Sequence, residues 1–154
     1  MRIEPTNPGS AGARALIAMA DEYMASLYPA ASNHLDNIAA LMAPNVLFLG
    51  CLIGAELVGC GAVKILSDDG EYGEIKRVFV AHGHRGRGYA VALMEKLEHH
   101  LNKRGIRVAR LETGIKQPEA LAMYRRLGYI ERGPYGAYIE DPLSVFMEKR
   151  LDGS

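Results

Sequence analysis

The sequence predicts an α/β fold in a single domain, residues 1–154, with a mixed central sheet flanked by helices. Three observations carry this. Three apolar, partly β-branched runs follow one another with short turns between them, which makes them antiparallel neighbours. Then a strand, a glycine-rich loop, an amphipathic helix and another strand follow in order. Such a βαβ unit crosses over right-handed, so its two strands are parallel. The length, 154 residues, lets one core bury roughly 70% of the surface that the unfolded chain exposes.

Taken in order, Arg2 to Pro5 reads as a short first strand. Leu16, Ala20, Tyr23, Met24 and Leu27 recur at helical spacings, so Ala11 to Leu27 forms a helix with one apolar face. Tyr28 to His34 breaks it. A short helix from Leu35 to Met42 follows, with Asn33 as its cap, ending before Pro44 because the residue preceding proline disfavours helix. Val46–Ile53 and Leu57–Leu66 form a hairpin around Gly54-Ala55-Glu56. Ser67 to Gly73 turns the chain into the strand Glu74–Val80. The next helix runs from Gly88 to Lys103, with Ala90, Leu93, Met94, Leu97 and Leu101 inward and Gly105 at its stop. Ile106–Glu112 is the parallel strand. Pro118 suits the first turn of a helix that reaches Leu127 and stops at Gly128. Tyr129–Arg132 and Ser144–Leu151 are the last strands.

The composition is 49% hydrophobic and 23% charged, with net charge +0. That argues against nucleic acid or an anionic membrane as partner. There is no apolar run of about 18 residues and no apolar N-terminal segment, so a cytoplasmic location is expected. Cys51 and Cys60 fit free, buried thiols in a reducing compartment. The histidines lack companions at metal-ligand spacing, so no metal is expected.

The informative stretch is His82-Gly83-His84-Arg85-Gly86-Arg87-Gly88-Tyr89-Ala90. It opens a helix yet contains no side chain that caps one. Free backbone N–H groups and the positive end of the helix dipole make an anion site. Gly86 and Gly88 let a ligand approach the backbone. The ligand is therefore a phosphate or pyrophosphate. The absence of G-x-x-x-x-G-K-[ST] argues against a nucleoside-triphosphate site of that kind. A dinucleotide site has some support: Glu112 falls 24 residues after Gly88, near the spacing of a ribose-binding acid. Against it, Val91 stands where that motif needs a small residue, and a meander precedes the unit. An NAD(P)-dependent oxidoreductase is thus one alternative; a non-catalytic acyl-CoA-binding module is another.

Arg85-Gly86-Arg87-Gly88-Tyr89-Ala90 resembles the motif [QR]-x-x-G-x-[GA] of the GNAT superfamily of acyl-CoA-dependent N-acetyltransferases. Ala120 to Tyr129, "ALAMYRRLGY", resembles the A-x-x-x-Y-x-x-x-G-[FY] segment of the same family. The likeness covers nearly the whole chain and is sharpest from Glu74 to Tyr129. It implies a GNAT-like fold, in which the two parallel strands splay and the coenzyme lies in the gap. It implies acetyl-CoA as cosubstrate, an amine acceptor that is a small molecule or a peptide, and direct attack in a ternary complex. A homodimer is compatible with it. By resemblance, backbone N–H groups from Arg85, Gly86, Arg87, Gly88, Tyr89 and Ala90 bind the pyrophosphate. Val78, Phe79 and Val80 run beside the pantetheine arm, with the Val78 N–H donating to the thioester oxygen. Gln117 stands where many members have Asn.

Acetyl transfer to an amine needs a base, an oxyanion donor and a donor to the leaving sulfur. Tyr124 matches the family tyrosine that faces the sulfur. Glu74, at the start of the central strand and 11 residues before Arg85, is the first candidate base; Glu112 is the second, and a water relay the third. The acceptor is expected between Tyr28–His34 and Gly133–Ser144. Tyr135, Tyr138, Glu140 and Asp141 there, with Asp68, Asp69 and Glu71, favour a cationic amine.

Overall fold

The computed structural model describes residues 1–152. Its strands are β1 (Arg2–Pro5), β2 (Val46–Ile53), β3 (Glu56–Leu66), β4 (Tyr72–Val80), β5 (Val108–Gly114), β6 (Ile130–Arg132) and β7 (Ser144–Arg150). Its helices are α1 (Ala11–Leu27), α2 (Ile38–Leu41), α3 (Tyr89–Lys103) and α4 (Pro118–Arg126). The sheet order is β1-β2-β3-β4-β5-β7-β6; β4 and β5 are parallel and the other neighbouring pairs antiparallel.

Two apolar layers enclose the sheet. On one face Leu93, Met94, Leu97 and Leu101 of α3 and Leu121 and Tyr124 of α4 pack on Leu49, Ile75, Leu111 and Met147. On the other, Ala13, Leu16, Ile17 and Ala20 of α1 pack on Phe48, Cys60, Ala62 and Phe79. Cys51 joins the first layer and Cys60 the second; both are free and buried.

The middle of β4 is irregular. Its register against β3 shifts between Cys60 and Ala62, and Arg77 there has φ 58. A positive φ is unusual for a long side chain and marks a bulge. The bulge moves the alternation by one residue. Ile75 and Val78, three apart, both pack toward α3, while Phe79 turns to α1. Arg77 is held in place by donating to the Asp36 carbonyl at 2.7 and 3.0 Å and to Asp21.

Several boundaries differ from the sequence reading, three of them with a clear physical reason. The second helix is one turn, Ile38–Leu41, and its cap is Asn37, whose side chain accepts from the Ala40 N–H at 2.8 Å, not Asn33. Strand β4 begins at Tyr72, because Tyr72 and Gly73 pair with Leu66 and Ile65. Strand β5 begins at Val108: Ile106 is buried, but its N–H returns to the Leu101 carbonyl and closes the end of α3. No described helix is long and apolar enough to cross a membrane.

Candidate active site

The glycine loop opens α3 as an uncapped helix. Gly88 sits at φ 82 in the left-handed region, and no side chain caps the end. The first intrahelical bond runs from the Ala92 N–H to the Gly88 carbonyl at 3.1 Å. The N–H groups of Tyr89, Ala90 and Val91 thus face out of the helix end, as geometry requires. A Cβ at Gly86 or Gly88 would meet nothing within 4 Å, so only backbone conformation and outside approach demand glycine. The Arg85 side chain turns back. Its Nε donates to the Val80 carbonyl at 3.0 Å, and its guanidinium lies 5.0 Å from the Tyr23 ring and 5.6 Å from Phe79.

Beside this loop lies a cleft of about 560 Å³. Val78, Phe79, Val80, Arg85, Gly86, Gly88, Tyr89, Ala90, Gln117 and Tyr124 line it. Arg87 is exposed and outside that lining.

The cleft exists because β4 and β5 part. They pair at Gly73–Ala109, Glu74–Arg110 and Ile75–Leu111 and no further. Strand β5 continues against β7 to Gly114–Ser144 while β4 leaves through its bulge. On the far side of the gap is a second cleft of about 110 Å³, lined among others by Tyr28, His34, Asp36, Glu74, Lys76, Glu112 and Tyr138. Tyr23, Val78, Phe79, Gln117, Ala120 and Tyr124 line both. The two spaces therefore meet at the splay.

Tyr124 stands at that junction. It is buried, its hydroxyl has no hydrogen-bond partner among the described residues, and its phenol is pushed up by burial and then by Glu112. It stays protonated and keeps its O–H as a donor. Glu112 accepts from the Ser144 hydroxyl at 2.8 Å, and burial raises its carboxyl against the opposing pull of that bond. Glu74, 4% exposed, is more heavily engaged. One of its oxygens accepts from Tyr135 at 2.7 Å and from Tyr138 at 2.6 Å; the other lies 3.5 Å from Lys76 Nζ.

Gln117 is oriented by α1. The Tyr28 hydroxyl donates to its Oε1 at 3.2 Å and accepts from the Lys116 N–H at 3.0 Å. Gly114 makes room for that ring: a Cβ there would overlap the Tyr28 phenol. With its oxygen engaged, the Gln117 amide keeps its NH₂ as donor to the cleft.

Residues 13–129 match the family model described as acetyltransferase (GNAT) family. The chain belongs to the GNAT acetyltransferase family. It is 43% identical over 136 residues to an IAA acetyltransferase of Azospirillum brasilense, covering 88% of each chain. A crystal structure from Klebsiella pneumoniae, named an acyl-CoA N-acyltransferase, superposes with TM-score 0.82 at 36% identity over 97% of each chain. The paiA N-acetyltransferase of Thermoplasma acidophilum, solved with coenzyme A, shares the fold: TM-score 0.67 at 17% identity, covering 98% of this chain and 100% of that one.

Membership in the GNAT family makes the chain an acyl-CoA N-acyltransferase and disfavours the dinucleotide alternative. Geometry agrees: Glu112 lines the small cleft and not the space beside Gly86 and Gly88, where a ribose-binding acid belongs. Several loop residues expected around the acceptor have other work. Asp68 accepts from Tyr72, Asp69 faces Arg110 and Arg132, and Asp141 accepts from Ser32 and the Leu143 N–H. Tyr135 and Tyr138 serve Glu74. Tyr138 also lines the small cleft, beside His34 of the expected Tyr28–His34 segment and Asp36 and Lys76, which the sequence reading did not name. No sequence spacing links Asp36 or Lys76 to Glu112. His82 and His84 stay on a turn before α3, with His84 Nε2 3.9 Å from Glu56.

Proposed function

We propose that this GNAT chain transfers an acetyl group from acetyl-CoA to a primary amine by direct attack in a ternary complex. The observation that carries the reading is the meeting of the two clefts at Tyr124, with Glu112 on the small-cleft side. One cleft has an anion-binding helix end and the length for an extended cosubstrate; the other has ionisable groups and room for an acceptor.

The residues fit acetyl-CoA. N–H groups from Gly86 to Ala90 hold the pyrophosphate at the positive end of α3. Val78 to Val80 flank the pantetheine arm, and the Val78 N–H donates to the thioester oxygen as charge develops there. The Gln117 NH₂ adds a donor beside it.

Glu112 is the base. Burial raises its carboxyl against the pull of Ser144, His34 and Lys76, which keeps its affinity for a proton nearer working pH. Glu74 is already engaged by two phenols and lies beside the Lys76 ammonium; it anchors the acceptor wall. The ammonium gives one proton to Glu112, and the freed amine attacks the carbonyl carbon. The C–N bond forms as the C–S bond breaks. The amine's second proton ends on the sulfur, and the proton on Glu112 returns to water. The Tyr124 hydroxyl donates to the departing sulfur. Because burial raises its phenol above a thiol near 8.5, Tyr124 stabilises the thiolate as a donor and keeps its own proton in the resting enzyme.

Tyr124→Phe tests this. Removing one hydrogen bond to a charged sulfur costs about 1.5–3 kcal/mol, so kcat falls roughly 10–150-fold while KM for acetyl-CoA stays within about twofold. An unchanged kcat removes Tyr124 from the chemistry.

A further inference from the structure

The small cleft carries charge that selects its occupant; the inference rests on the acetyl-transfer reading and names the class of amine. Asp36, Glu74 and Glu112 bring three carboxylates to this space. The cations beside them are committed. Lys76 Nζ lies 3.1 Å from Asp36 and 3.5 Å from Glu74. The Arg77 guanidinium is taken by Asp21 and by the Asp36 carbonyl. His34 is the remaining group able to carry positive charge, and that charge acts on Glu112. Meanwhile Asp36 Oδ2 is buried without any donor, and Glu112 has an oxygen beyond the one that Ser144 occupies.

The space is also roofed. Ser32 donates to Asp141 at 2.7 Å, joining the segment after α1 to the loop before β7. The His34 and Tyr138 rings meet edge to face at 5.2 Å, and Lys76 reaches the Tyr138 hydroxyl at 3.3 Å. These ties leave about 110 Å³ beneath them.

We infer that the acceptor is a compact primary amine with no carboxylate or phosphate of its own, inserted end-on beneath this roof, and not a polypeptide. A carboxylate on the acceptor would be desolvated against Asp36 and Glu112, with Lys76 and Arg77 already engaged and only the His34 imidazole left in the lining to meet it. An ammonium or a neutral donor instead meets the Glu112 oxygen that Ser144 leaves open, within the field of Asp36. Selection thus works by repelling the acidic analogue as much as by attracting the amine.

The test uses the full chain with acetyl-CoA and matched acceptors that differ by one carboxylate: tryptamine and tryptophan, tyramine and tyrosine, agmatine and arginine, plus a tetrapeptide with a free N-terminus. In each pair that turns over, kcat/KM for the decarboxylated member exceeds its partner by about tenfold or more, and the peptide falls below it. Asp36→Asn narrows that ratio and leaves KM for acetyl-CoA unchanged, because Asp36 lines only the small cleft. Amino acids or the peptide used as well as the amines would overturn the inference while the transferase reading stands. No acetylation of any acceptor would overturn both. A ratio unaltered in a folded Asp36→Asn variant would remove Asp36 as the discriminating group.

Discussion

Gly88→Ala separates what the loop does for the fold from what it does for the ligand. Gly88 sits at φ 82, and a Cβ built there meets no protein atom within 4 Å. The cost to folding is therefore conformational alone, roughly 1–2 kcal/mol for a left-handed alanine. For a chain of this length each kcal/mol moves Tm by about 2–4 °C, so the variant melts about 2–8 °C lower. The cost to the ligand is larger in kind. The new methyl group stands before the N–H groups of Tyr89 to Val91, where the pyrophosphate would sit. Losing one hydrogen bond to a charged oxygen removes about 1.5–3 kcal/mol, or roughly 10–150-fold in affinity. Gly54→Ala is the matched control: φ 60, nothing within 4 Å, on the remote β2–β3 turn. Thermal melts with and without acetyl-CoA, with calorimetric titration, read both quantities. Gly54→Ala should show the strain and no affinity loss. Undiminished acetyl-CoA affinity in Gly88→Ala would refute the assignment of this helix end to the cosubstrate.

Other perturbations probe other parts of the account. Glu112→Gln should lower kcat about 10²–10⁴-fold. Wild-type rate falls as acid protonates the raised Glu112 carboxyl, and the variant should lose that limb; an identical pH–rate profile would exclude Glu112 as base. Gly114→Ala drives a methyl into the Tyr28 ring and breaks its bonds to Gln117 and Lys116, for about 2–4 kcal/mol and a Tm lower by about 5–15 °C. A melt within about a degree of wild type would contradict the packing described. The phenols of Tyr72, Tyr124, Tyr129, Tyr135 and Tyr138 are raised, chiefly by burial. The folded chain keeps protons that the unfolded chain releases near pH 10, so stability from these groups is full below about pH 10 and falls as pH rises beyond it. Circular dichroism melts against pH would show this as a Tm that declines on the alkaline side; a flat Tm there would count against it.

The fold was legible where local patterns and chain connectivity agree. The meander, the crossover and α3 follow from alternation, short turns and an apolar helix face, and the missing cap of the glycine loop was legible too. The places where the reading slipped are places where tertiary contact overrides local pattern. Ile106 looks like a strand residue because it is apolar, yet its N–H closes a helix. Asn33 and Asn37 are equally good caps by type, and only Asn37 meets the turn. The bulge at Arg77 needs a positive φ that no arginine advertises; it is held by Asp21 and the Asp36 backbone, residues 56 and 41 positions away. Glu74 was visible as an acid at a strand start, but its two phenol donors come from 61 and 64 positions further on. The acceptor wall was harder: the Tyr28–His34 segment was expected there, but Asp36 and Lys76 carry no pattern that places them beside it, and the fold alone brings them to the same cleft as Glu112.

The central claim is that an acetyl group passes from acetyl-CoA to an amine within this chain. The most direct measurement supplies isotopically labelled acetyl-CoA and the amine panel, and follows the label by mass spectrometry. The account predicts label in an amide, formed at a rate that depends on both substrates and falls in Glu112→Gln and Tyr124→Phe. Label recovered only as free acetate, or retained on acetyl-CoA that binds without turnover, would contradict it.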